Sequence, residues 1–347
     1  MDVCYGKDYK HLNEGNFPVL GTGGVMGYVD EYLYSGESIL IGRKGTIDKP
    51  KYINGPFWTV DTLFFTKIKE GNPKFIFYQL NKINWLKYNE ASGVPSLSAN
   101  NIKNIKIKIP SLEEQKKIAS FLSAVDKKIE LLEKKHLLIT YEKEYYLNLF
   151  FNENTGKNSN NFKKVKLGDI LSLQGGFNFD SRMFDKYSNN PVIKIGDIPH
   201  NLDLENFKGN FSKQNCGEKY KVKSGDILIA LSGATFGKSG KVSGNGIAFI
   251  NQRVAKFICK KCDTNYIFQL LNSSKFKKYL NTIPTSSAQP NISNKDILNY
   301  PTFIPELNKQ IIIGNFLGNI DNQIELIEDK VFHMKRFKKF LLQKMFV

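Results

Sequence analysis

The sequence is short of the residues that build chemistry or span membranes. Its 347 residues hold four cysteines and four histidines. So few thiols in a chain this long do not make a disulfide framework. Cys259 and Cys262 have the spacing of half a zinc site, but Cys4 and Cys216 form no second close pair, so no metal site is expected. None of His11, His136, His200 and His333 stands at a recognisable spacing from a nucleophile. No Asn-Pro-Pro-Tyr or Asp-Pro-Pro-Phe tetrapeptide is present to support a base-methylating site. Glu133-Lys-Lys135 and Glu328-Asp-Lys330 resemble the tail of a nuclease motif, yet no upstream Pro-Asp pair accompanies them and both fall in helix-patterned sequence. No catalytic residue is therefore assigned. No apolar run approaches the roughly 18 residues of a membrane span, and the N-terminus lacks the blocks of a signal peptide, so a cytoplasmic protein is expected.

Two glycine-rich stretches imitate nucleotide sites and fail on spacing. Ser232-Gly-Ala-Thr-Phe-Gly-Lys-Ser239 is one residue short between its first two glycines, and Gly240, Gly244 and Gly246 break the helix that should follow. Gly21-Thr-Gly-Gly-Val-Met-Gly27 has Met26 where a dinucleotide loop needs its third glycine. Turns are expected at both.

What the sequence has in excess is positive charge. Fifty Lys and Arg against thirty-three Asp and Glu leave a formal charge of +17. Such a surplus favours a polyanionic partner, because each neutralised phosphate releases counterions. An AT-rich coding composition also enriches lysine, so charge alone does not decide the matter.

The chain also repeats itself. Residues 91–151 superpose on 286–346 without a gap, about a third of the positions being identical. Ser92 meets Ser287, Pro95 meets Pro290, Gln115 meets Gln310, and Asp126 meets Asp321. Ile129-Glu-Leu131 meets Ile324-Glu-Leu326. Upstream the copies drift: Ser35-Gly-Glu-Ser-Ile-Leu-Ile41 resembles Ser224-Gly-Asp-Ile-Leu-Ile229, and Tyr78-Gln-Leu80 resembles Phe268-Gln-Leu270. The repeat is too long for a solenoid unit, so it is a domain duplication.

Each copy ends in a helix with a seam. Ile118, Leu122, Val125, Ile129, Leu132, His136 and Ile139 in the first, and Ile313, Leu317, Ile320, Ile324, Ile327, Val331 and Met334 in the second, share one heptad stepping. Two such helices are expected to pack on each other, with His136 a tolerated polar seam position. Ser111 with Glu114 marks the first helix start by a capping box. The polar stretch 152–161 lets the chain turn back, which favours antiparallel packing.

Between the helices, short apolar runs flanked by glycine predict strands at Ser38–Ile41, Leu63–Phe65, Val192–Ile195, Asp226–Leu231 and Arg253–Ile258. Helices are expected at Lys74–Leu86 and Asn265–Leu280. The expected class is α+β: two domains with curved, irregular sheets, joined by two long antiparallel coiled-coil helices with pseudo-twofold symmetry. Its parts are a first domain, 1–110; a first spacer helix, 111–151; a linker, 152–164; a second domain, 165–305; and a second spacer helix, 306–347.

The residues expected to touch DNA are polar or basic and occupy turns. In the first copy they are Arg43, Lys44 and Thr46, with Ser92 and Ser96. Arg43 suits bidentate reading of guanine, and a solvated turn is the alternative. In the second they are Thr235, Lys238, Ser239 and Lys241 on an expected mobile hairpin, with Gln252 and Arg253, and with Ser286, Ser287, Gln289 and Asn291 on a polar turn.

Val165-Lys-Leu-Gly-Asp-Ile170, the Ser-Gly-Asp-Ile-Leu-Ile strand, Gln289-Pro-Asn-Ile-Ser293 and the Pro-x-Leu-x-x-Gln step into a heptad helix, all within a duplicated plan, resemble the specificity subunit of type I restriction-modification enzymes. The resemblance implies two recognition domains, each reading half of a bipartite double-stranded DNA site, with the helix pair as ruler. It implies two methyltransferase subunits as partners, plus restriction subunits. S-adenosylmethionine, ATP and Mg would be used on those partners, with no cofactor in this chain. One departure stands out: copy one has no counterpart of Leu167-Gly-Asp-Ile170. An orphan or phase-variable specificity protein serving methylation alone, or a basic scaffold binding RNA or protein, are the alternatives.

Overall fold

The computed structural model describes residues 1–151, 162–283 and 291–346. In the first copy, strands β1 (Asp2–Tyr5), β2 (Glu14–Gly21), β3 (Gly24–Val29), β4 (Tyr34–Gly42), β5 (Lys51–Thr59) and β6 (Leu63–Lys67) form one sheet. Their order is β1-β6-β4-β5-β2-β3, antiparallel except where Val19 and Leu20 of β2 run beside Trp58 and Thr59 of β5. The apolar end of β4 shows why the sheet is buried on both sides. Successive side chains alternate faces. Accordingly Ile39 and Ile41 enter a core shared with the helices, while Leu40 joins Phe57, Leu63 and Phe65 on the other face. Strand β6 splits likewise, with Phe64 on the helix side.

Helix α1 (Pro73–Lys82) starts where Asn72 Oδ1 accepts the Phe75 amide at 3.0 Å and Pro73 supplies a fitting first residue. It ends earlier than the expected Leu86, because Ile83 turns extended and a 3-10 turn follows at Trp85–Tyr88. Short α2 (Ala99–Lys103) is capped by Ser98. Helix α3 (Leu112–Phe151) runs 40 residues, about 60 Å at about 1.5 Å each.

The second copy opens with β7 (Phe162–Lys166), α4 (Leu167–Ile170) and β8 (Leu171–Gly175). Strands β9 (Asn190–Ile193), β10 (Asn201–Asp203), β11 (Asn210–Ser212), β12 (Lys221–Val222), β13 (Ile227–Ala230), β14 (Ser239–Ser243), β15 (Ala248–Ile250) and β16 (Val254–Cys259) follow. Then come α5 (Thr264–Asn272), α6 (Ser274–Thr282), α7 (Asn294–Leu298), β17 (Pro301–Pro305) and α8 (Leu307–Met345). The strands form sheets ordered β10-β14-β13-β16-β8, β11-β9-β15-β12 and β17-β7. The single helix expected over Asn265–Leu280 is two. Ser273 is extended, and its hydroxyl caps α6 by accepting the Phe276 amide at 3.3 Å. A serine offers the backbone that alternative to helix.

The chain divides into two compact units, Met1–Lys134 with Ile327–Val347, and Lys135–Leu326. Each holds part of both long helices. In the first, Lys338 and Lys335 of α8 bond Asp126 and Glu133 of α3 at 2.6 and 2.7 Å, and Leu341, Leu342 and Phe346 join a core with Ile118 and Leu122. In the second, Lys143 bonds Asp321, and Phe316 stands edge-on to Tyr146 at 4.8 Å. In both units, residues later in α3 meet residues earlier in α8, so the helices are antiparallel there. The seam positions Ile118, Leu122, Val125, Ile129, Ile139, Leu317, Ile320 and Ile327 are buried.

Candidate nucleic-acid interface

A buried glutamine fixes the sheet domain to its long helix in each unit. Gln115, 3% exposed, accepts the Asn72 amide on Oε1 at 2.8 Å and donates from Nε2 to Pro110 O at 2.8 Å. Gln310, 2% exposed, does the same with the Asp263 amide at 3.0 Å and Pro305 O at 2.8 Å. Both amides come from the residues that cap α1 and α5, so one side chain ties a helix start to a helix start.

Farther along each helix an aspartate makes a second tie. Asp321 accepts from Lys143, from His200 Nε2 at 3.0 Å and from Gln269 Nε2 at 2.7 Å. Burial raises its pKa, but the His200 hydrogen bond and the Lys143 charge outweigh that and hold it below the usual carboxylate range. Its counterpart Asp126 accepts from Tyr78 Oη at 2.8 Å and from Lys338. Burial, and then the carboxylate, push the Tyr78 hydroxyl pKa up. The ring pairs match too: Phe346 lies 5.3 Å from Phe75 in the first unit, and Phe151 lies 5.2 Å from Tyr266 in the second.

This frame holds two turns against a strap. In the first unit β4 runs into Arg43–Thr46, and the preceding-helix segment crosses it: Leu97 N donates to Arg43 O at 2.9 Å, Gly45 N to Pro95 O at 2.8 Å, and Lys44 bridges Ser96. Gly45 takes φ +87°, a conformation that side chains resist. In the second unit Ile292 N donates to Leu231 O at 2.9 Å and Ser232 bridges Asn291. Thus Lys44 and Ser96 come together, and Asn291 lies beside the Ser232 turn. Lys44, Thr46 and Ser92 are exposed, and Ser96 is half-buried.

Arg43 is braced rather than free. Its Nη1 donates to Asp61 O at 3.1 Å, and its guanidinium lies 5.3 Å from the centre of the Tyr5 ring. A hollow of about 720 Å³ opens beside it, lined by Tyr9, Lys10, Thr22, Met26, Asp61 and Thr62. Lys10, Thr22 and Thr62, which line it, were not among the residues expected to touch DNA, since isolated turn residues carry no period. It read Gly21–Gly27 as a turn, and the β2–β3 hairpin turns there.

In the second unit Lys238, Gln252, Arg253 and Asn291 are exposed. Arg253 O accepts from Leu231 N at 2.9 Å, which sets the Gln252-Arg253 turn beside the Ser232 turn. The other hairpin residues face inward. Thr235 Oγ1 donates to Ile195 O at 3.1 Å, Ser239 is buried in β14, and Lys241 Nζ donates to Asn265 Oδ1 at 2.6 Å. Lys241 lines a cavity of about 260 Å³ with His200, Asn265, Phe268, Gln269 and Asp321. Ser286, Ser287 and Gln289 lie outside the described residues. After Ser239 the chain continues as strand β14, not as the helix a phosphate loop would need. Cys259 and Cys262 are half-buried at the end of β16, and no group of side chains suited to a metal ion occurs among the described residues.

The type I restriction modification DNA specificity domain matches this sequence twice, over residues 4–141 and 159–331. The chain belongs to that family. The type I restriction enzyme MjaVIII specificity subunit of Methanocaldococcus jannaschii is 30% identical over 293 residues, covering 77% of this chain and 68% of the relative. The EcoprrI specificity subunit of Escherichia coli is 30% identical over 112 residues, 32% of this chain and 28% of the relative. The crystal structure of a type I restriction-modification S subunit from M. genitalium has the same fold, with a TM-score of 0.73 at 15% identity over 100% of this chain and 93% of that one. The protein is a type I specificity subunit, and its role is DNA recognition. No helix among the described residues is long and apolar enough to cross a membrane.

Proposed function

We propose that the chain reads a bipartite DNA site, one half-site per sheet domain, with α3 and α8 setting the unread spacer. The observation that carries this reading is the repeated frame. Equivalent residues make equivalent ties in both units, Gln115 and Gln310 to helix caps, Asp126 and Asp321 to the lysine of the opposing helix. The turns mounted on that frame differ, Arg43–Thr46 in one and Ser232–Phe236 in the other. A common mount with unlike readers yields unlike half-sites. Lys44, Thr46, Ser92 and Ser96 in the first unit, and Lys238, Gln252, Arg253 and Asn291 in the second, are the contacts we assign to phosphates and base edges.

The chemistry belongs to partners: two methyltransferase subunits using S-adenosylmethionine, and restriction subunits using ATP and Mg. The outer faces of the long helices suit such partners. Leu131, Leu137 and Tyr145 on α3 are exposed, as are their repeat counterparts Leu326, Phe332 and Phe340 on α8. Apolar side chains exposed at equivalent places on both helices support two copies of one partner.

Methylome sequencing of cells with and without the gene tests the reading. It predicts the loss of one methyladenine motif split by an unspecified spacer. Loss of no motif, or of an unbroken one, contradicts it.

A further inference from the structure

Two of the four thiols share one turn in the second unit. Cys259 closes β16 opposite Leu171 of β8, and Cys262 stands just ahead of Asp263, the residue that caps α5. The turn between them wraps around one carbonyl. Ile170 O accepts the Lys260 and Lys261 amides, each at 3.1 Å, and lies 3.6 Å from Cys262 Sγ. The wrapped turn brings the two side chains into hydrogen-bond contact, the Cys262 thiol donating to Cys259 Sγ. Sulfurs in contact across a turn can bond by side-chain rotation.

The two sulfurs have unequal surroundings. The Cys262 thiol, helped by Thr264, holds Cys259 below the usual thiol range against the opposing effects of burial and of the Asp263 carboxylate. The Cys259 sulfur, and then burial, push Cys262 up. Cys259 is therefore the better thiolate, while Cys262 keeps its proton. Both side chains are half-buried, within reach of a small reagent, and the exposed Lys260 and Lys261 between them favour an anionic one. Cys216 in the same unit is a contrast, since burial and the nearby Glu218 push its thiol up.

We propose that Cys259 and Cys262 form a thiol–disulfide exchange site for a small, acidic disulfide. The Cys259 thiolate attacks one sulfur of the reagent, whose S–S bond breaks and whose other half leaves as a thiolate. Cys262 then gives its proton to solvent and attacks Cys259 Sγ, the mixed disulfide breaks, and the second half of the reagent leaves. The protein's two thiols lose two electrons and two protons, and the reagent is reduced to two thiols. The bond that closes spans the turn ahead of Asp263, whose amide donates to Gln310 Oε1 and whose carboxylate accepts the Tyr266 amide. It staples the end of β16 to the start of α5.

The test treats the reduced full chain with glutathione disulfide, quenches with acid and maps every cysteine by mass spectrometry. The expected course is a glutathione adduct on Cys259, then its replacement by an internal bond that removes two hydrogens from the peptide holding both residues. Amide exchange over residues 260–266 should slow several-fold in the bonded form. Cys262→Ser should trap the adduct on Cys259, and Cys259→Ser should slow reaction at Cys262 at least about tenfold. Because either variant risks misfolding, the unaltered chain supplies a second control: in urea the preference for Cys259 over Cys4 and Cys216 should vanish. Adducts that reach Cys4 or Cys216 first, or a preference that persists in urea, overturn the proposal. So do an adduct on Cys259 that never closes, a bond between two chains in place of the internal one, and unchanged exchange over 260–266.

Discussion

The first and second units solve the same mounting problem with the same residue types and unequal burial. At the glutamines the two solutions coincide, each side chain nearly closed to water and each bonding an amide and a carbonyl. At the aspartates they diverge. Asp321 and Lys143 have side chains 14% and 12% exposed, whereas Asp126 and Lys338 are 34% and 27% exposed. The second unit adds His200 and Gln269 around its carboxylate, where the first has Tyr78. Duplication therefore preserved the glutamine and aspartate–lysine ties, while the two sheet domains differ in what surrounds each aspartate.

That contrast can be broken in graded steps. Replacing Asp321 by Ala strands a buried ammonium and the Gln269 amide, and breaking such a pair costs about 3 kcal/mol. Urea unfolding of the purified chain, with hydrogen exchange localising the loss to residues 135–326, should show it; an effect below about 1 kcal/mol contradicts the burial argument. Replacing Gln310 by Ala leaves the Asp263 amide without its acceptor and should cost about 2 kcal/mol. Gln115→Ala should cost the same within about 0.5 kcal/mol in the first unit, since the geometry matches, and a larger gap would refute the equivalence. Asp126→Ala should cost less than about 1 kcal/mol, because water screens the Lys338 pair. An equal loss at Asp126 and Asp321 would erase the distinction.

The smallest effect is a pH dependence. Asp321 has a folded-state pKa held below its unfolded value of 3.8, so the stability it contributes is complete above that value. It is lost as pH falls through the lower folded-state value. Acid titration of stability should therefore be flatter for Asp321→Asn than for the native chain below about pH 4. Parallel curves would remove the carboxylate from the account.

Much of this frame was legible because it is periodic. The heptad stepping marked both long helices, and the internal repeat aligned Gln115 with Gln310 and Asp126 with Asp321 before any contact was known. Apolar runs such as Ser38–Ile41 and Asp226–Leu231 fall on β4 and β13. What stayed hidden depends on distant partners. Nothing local tells Ser239 that β14 buries it, or Thr235 that Ile195 O accepts its hydroxyl. Arg43 reads as a free turn arginine until Asp61 and Tyr5 close around it. Strand β7, Phe162-Lys-Lys-Val-Lys166, begins within the stretch read as linker, because three lysines in five residues mask a strand that forms by pairing with the distant β17.

The central claim is that each domain reads its half-site independently on a shared mount. Exchanging residues 165–285 for the corresponding domain of another family member, followed by methylome sequencing, tests it most directly. The account predicts that one half of the bipartite motif changes while the other half and the spacer stay as they were. Change in both halves at once would contradict it.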